Sequence, residues 1–110
     1  MQKLSLDALA REHLARAKQS SAGRSAETVF GGHEHTLRQT LMALTAGTTL
    51  TEHENPGEAT VHVLIGRVRL GAGSETWEGR RGDLLLIPQS RHNLQAIEDA
   101  VVLLTVAKLR

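Results

Sequence analysis

Apolar residues at Leu6, Leu9, Ala10, His13/Leu14 and Ala17 recur at three- and four-residue spacing, the period of a helix with one buried face. Ser5 stands where a side-chain oxygen can accept a backbone N–H of the first turn, so the pattern predicts one amphipathic helix from about Leu6 to Gln19. The stretch from Ser20 to Ser25 is small and polar around Gly23 and reads as a loop.

After Ala26 the period changes. Short stretches of Val, Leu, Ile and Thr are separated by turn signals at Gly31-Gly32, Ala46-Gly47, Asn55-Pro56-Gly57, Gly71-Ala72-Gly73, Gly79, Gly82-Asp83, Pro88 and Glu98-Asp99. The strands predicted between them are Thr28–Phe30, Thr36–Thr45, Thr48–Glu52, Ala59–Ile65, Arg67–Leu70, Glu75–Glu78, Asp83–Ile87, Asn93–Ile97 and Val101–Lys108. One helix followed by many short strands predicts an all-β fold, an antiparallel sandwich or small barrel. The expected division is an N-terminal helix and linker over residues 1–25 and a β-domain over 26–110.

Composition narrows the function. The 110 residues carry 13 basic and 12 acidic side chains, a net charge of +1 that gives no field to steer a polyanion. Phe30 and Trp77 are the only aromatic side chains of the Phe, Trp and Tyr type, too few for base stacking, so nucleic acid is not expected. Cysteine is absent, which excludes disulfides, thiolate metal sites and cysteine nucleophiles. No apolar run is long enough to cross a bilayer, and Lys3-Leu4-Ser5-Leu6-Asp7 is no signal-peptide core. A cytoplasmic protein without a membrane partner is expected.

Two stretches carry candidate chemistry. Gly47 is followed by five residues, His53, Glu54, Asn55, three more residues, Ala59, six more and Gly66; Gly82 is followed by five residues, Pro88 and then Gln89-Ser90-Arg91-His92. This spacing resembles the paired motifs of the cupin superfamily, small jelly-roll barrels, over roughly Thr36 to Ala107. Against the family pattern Asn55 replaces the second histidine, Ala59 replaces the glutamate, and His92 arrives one residue early without its glycine. The resemblance implies an antiparallel jelly-roll β-barrel behind the N-terminal α-helix. In metal-binding members the matched positions supply three histidines and a carboxylate to one divalent ion. Here only His53 and His92 carry over, and Asn55 offers a neutral amide oxygen. The cofactor is therefore not identified beyond a divalent transition metal, weakly bound.

The remaining histidines and polar groups are weaker candidates. His33 and His35 could chelate only if strand-borne, and a solvated turn after Gly31-Gly32 is favoured; His62 lies an odd offset from Ala59 and belongs on the outer face, exposed or between subunits. Along Leu37–Leu44, Leu37, Gln39, Leu41 and Ala43 share one face and Arg38, Thr40, Met42 and Leu44 the other, so either Gln39 or Thr40 with Arg38 looks inward. The expected ligand-binding residues are Gln39, His53, Asn55 and His92; no catalytic residue is named. The function expected is a small binding protein holding a small molecule, or weakly a divalent metal, in the barrel. The alternative is a metal-dependent enzyme of the dioxygenase, isomerase or lyase type using His53 and His92. Because a small barrel leaves edge strands to cover and similar small cupins pair, a homodimer is expected.

Overall fold

The computed structural model describes residues 1–53 and 57–108, and only the backbone of residues 52 and 53. Helix α1 spans Leu6–Gln19, with the Ser5 hydroxyl accepting from the Ala8 N–H as its cap. Nine strands follow among the described residues: β1 Arg24–Gly31, β2 Leu37–Leu44, β3 Thr49–His53, β4 Gly57–Ile65, β5 Arg67–Ala72, β6 Glu75–Arg80, β7 Leu84–Leu86, β8 His92–Ala96 and β9 Ala100–Lys108. They pair antiparallel into a five-stranded sheet, β1-β2-β9-β4-β7, and a four-stranded sheet, β3-β8-β5-β6. The result is an antiparallel jelly-roll whose two sheets face each other without closing into one continuous ladder.

Alternation decides which residues meet. Val61, Val63, Val68, Leu70, Leu94, Ala96, Val102 and Val106 fill the space between the sheets. Leu41, Ala43, Val101 and Leu103 point the other way, onto Ala10 and Ala17 of α1. This explains why Leu41–Leu44 and Ala100–Leu104 read as unbroken apolar runs: both faces of β2 and β9 are covered, one by a sheet and one by a helix. The described part is thus three layers deep, helix on sheet on sheet.

The helix is also fastened by a polar contact. His13 is buried at the helix–sheet seam, its Nε2 2.7 Å from Glu27 Oε1 and its Nδ1 2.7 Å from Ser25 Oγ. A carboxylate can only accept, so Nε2 carries the proton in the neutral ring and Nδ1 accepts from the serine hydroxyl. Ser25 and Glu27 are strand residues, because β1 begins at Arg24 instead of near Thr28. The polar stretch expected to be loop is the start of an edge strand, whose exposed residues need no apolar pattern.

Two other expectations shift. Gly79 is no turn: it lies inside β6, and a Cβ there would stand 3.1 Å from Leu85 Cδ1, so the missing side chain lets Leu85 seat against the strand. The strand expected over Asp83–Ile87 contracts to Leu84–Leu86, since β7 pairs only with β4. No described helix is long and apolar enough to cross a membrane.

Candidate functional site

His92 opens β8, and with Leu94 and Ala96 at alternate positions it faces the space between the sheets. It is one of two polar residues buried among the described ones, the other being His13. Its Nδ1 lies 3.0 Å from the carbonyl oxygen of Ser90. That oxygen can only accept, so Nδ1 carries the proton and Nε2 holds the lone pair in the neutral ring. A backbone carbonyl holding one ring nitrogen is how a ligating imidazole is commonly oriented.

The backbone register pairs His53, the last residue of β3, directly with His92 across the β3–β8 ladder, after an irregularity between Leu50 and His53. The two motif histidines, thirty-nine positions apart in sequence, meet at one end of the four-stranded sheet. Asn55, the third expected ligand, lies outside the described residues.

The facing sheet contributes Ala59. It pairs with Val106 and is buried in the core between the sheets. Where the motif has a carboxylate, the interior therefore receives a methyl group. Glu58 does not compensate, being exposed beside it in sequence and so on the opposite face of β4. His62 follows the same alternation onto the outer face, level with Leu84 of β7 and Leu103 of β9. His33 and His35 lie exposed in the turn between β1 and β2, and His35 packs edge-on against Phe30 at 5.9 Å, so the strand-borne chelate does not form. Among the described residues no three His, Asp or Glu side chains come together as a metal-holding group.

The inward polar groups of β2 are settled by its phase. Leu41 and Ala43 lie under the helix while Met42 and Leu44 pack between the sheets, so Arg38 and Thr40 face the interior. Gln39, expected as a ligand-binding residue, points outward: its Nε2 donates to Thr105 Oγ1 at 3.2 Å, and it lines an outer concavity with Leu6, Phe30 and Leu103. Arg38 pairs with Val106, which pairs in turn with Ala59, so all three stand in one inward row. Its half-buried guanidinium makes no hydrogen bond or ion pair among the described residues. Sequence reasoning left Arg38 as one of two options, because both faces of β2 are apolar and neither phase stood out.

The comparisons bear on the fold. SPY1581, a conserved protein of unknown function from Streptococcus pyogenes, superimposes with a TM-score of 0.74 at 26% identity, over 83% of this chain and 79% of its own. An RmlC-like cupin protein from Desulfovibrio desulfuricans gives 0.67 at 26% identity, over 76% of this chain and 81% of its own. A cupin superfamily protein from Desulfitobacterium hafniense DCB-2 gives 0.72 at 14% identity over 78% of each chain, a likeness of fold alone. No protein-family model matches the chain, and neither does any curated protein.

Proposed function

Because the chain belongs to the cupin superfamily, we propose that it is a small binding protein that holds a small molecule at the end of the interior marked by His92. The observation that carries this reading is a buried, carbonyl-oriented imidazole among apolar side chains, with Ala59 where the motif calls for a carboxylate. Burying a polar ring costs free energy unless it is hydrogen-bonded, and the carbonyl of Ser90 holds this one at Nδ1. The chemistry suits a ligand with acceptor or anionic groups, since the inward cation Arg38 has no carboxylate partner on its own sheet. A divalent transition metal held by His53, His92 and Asn55 would be held weakly, because no family carboxylate remains to offset its charge.

Native mass spectrometry of the protein purified without chelator, together with element analysis, tests this. The expected result is an organic adduct that is lost in Arg38→Gln and in His92→Ala, with transition metal well below one equivalent. One equivalent of iron, manganese, nickel or zinc without an organic adduct would overturn it in favour of a metal enzyme.

The proposal includes a homodimer. Leu84 and Leu86 of β7 are 57% and 73% exposed, and Trp77 of β6 is 44% exposed. Trp77, Leu84 and Leu86 border one concavity of about 370 Å³ with Leu70 and Leu85. Both strands are sheet edges, so apolar side chains and unpaired backbone groups coincide, and a second copy would cover both.

A further inference from the structure

The end of the sandwich away from His92 carries a different chemistry. Beyond the last residue of β8 the chain turns at Glu98, where it meets Gly66 and the paired ends of β5 and β6. Gly66, Arg67, Arg80, Arg81 and Glu98 line a cleft of about 340 Å³. Its walls are tied by backbone bonds: Arg81 N–H donates to Gly66 O at 3.2 Å, and the N–H groups of Ile97 and Glu98 donate to Arg67 O at 2.9 and 3.2 Å. Gly66 holds φ at +77°, and a Cβ there would come within 2.1 Å of Asp99 O, so the turn is closed to any other residue as it stands.

The charges in this cleft are not balanced. Arg67 and Arg80 are direct partners across the β5–β6 ladder, an arrangement of like charges that weakens a sheet. Glu78 serves the neighbouring level, with Oε2 3.0 Å from Arg69 Nη2 and Oε1 3.5 Å from Arg67 Nε. Even so, Arg67 Nε is buried without a hydrogen bond. The guanidinium groups of Arg80 and Arg81 make neither hydrogen bond nor ion pair among the described residues. Arg67, Arg80 and Arg81 thus line the cleft with Glu98, while Glu78 is engaged by Arg67 and Arg69 and the Asp83 carboxylate by the Arg80 backbone N–H at 2.8 Å.

We propose that this cleft is an anion site for a phosphoryl group, bound by Arg80 and Arg81 and backed by the charge of Arg67. Guanidinium forks match the oxygens of phosphate in pairs. An anion seated here would also offset the repulsion between Arg67 and Arg80. Glu98 opposes it from the rim, so the site selects for a ligand of more than one negative charge. The source of the phosphoryl group is either free phosphate or a phosphorylated small molecule.

Titration of the whole protein with inorganic phosphate at constant ionic strength, read by the NMR signals of the arginine Nε–H groups, tests the proposal. Saturation at one equivalent with movement of the Arg67 signal is expected. Arg80→Gln with Arg81→Gln should weaken binding at least tenfold, Glu98→Gln should tighten it, and Arg11→Gln on the helix should leave it unchanged. Phenyl phosphate binding more tightly than phosphate would assign the site to a phosphorylated small molecule, and binding no more tightly would assign it to free phosphate. Shifts that rise without saturating, or equal affinity in the double variant, would overturn the site altogether.

Discussion

Ala59 is the residue at which the candidate site departs most clearly from a metal centre. It is buried between the sheets beside Val106, so Ala59→Glu would carry a carboxylate out of water without a partner. A buried unpaired charge costs several kcal/mol or forces the group to stay protonated. We expect Ala59→Glu to lower stability by about 2–4 kcal/mol in urea unfolding. Adding Asn55→His should let manganese or zinc restore part of that loss; a double variant whose melting temperature ignores both metals would show that these positions do not converge on one ion. At the helix seam, His13→Ala removes two short hydrogen bonds and leaves a void at a buried position. It should cost about 1–3 kcal/mol by the same measurement.

At the scale of elements, legibility followed burial. Helix α1 coincides with its expected span because a cap and one apolar stripe define it locally. The inner strands were equally readable, whereas β1 began earlier than expected because an exposed edge strand has no reason to be apolar. The same two-sided burial that made β2 easy to find hid its phase, and with it the choice between Gln39 and Arg38. His92 is legible through its motif, while the arginine cleft, assembled from the ends of two strands and the turns beside them, has no signature in local sequence. In the β5–β6 hairpin the Arg69 hydrogen bond, with the charges of Arg67, Arg69 and Arg80, holds the Glu78 carboxyl below its ordinary value despite opposing desolvation. A depressed carboxyl contributes stability above its unfolded-state pKa and loses it as pH falls through the lowered folded value. Wild type should therefore lose more stability than Glu78→Gln on acidification through the carboxylate range. The two acid-unfolding curves should converge at the lowest pH, and a constant offset between them would contradict the pairing.

For the molecule as a whole, the open side between β6 and β7 is where association is expected. Trp77, Leu84 and Leu86 leave roughly a few hundred Å² of apolar surface, enough for the centre of an interface but short of the about 800 Å² per partner typical of a stable dimer. The polar surroundings of both edges must contribute the rest. Light scattering should give twice the chain mass at micromolar concentration, and Leu84→Asp with Leu86→Asp should return it to the monomer; a monomeric wild type over that range would contradict the interface. The proposed binding site at the His92 end of the interior has Ala59 in the place of a metal centre's carboxylate. Calorimetric titration with zinc, on wild type and on His92→Ala, tests it most directly. Binding weaker than about 10 μM in the wild type, roughly 7 kcal/mol, and its disappearance in His92→Ala are predicted. Submicromolar binding of one equivalent that survives His92→Ala would contradict the account.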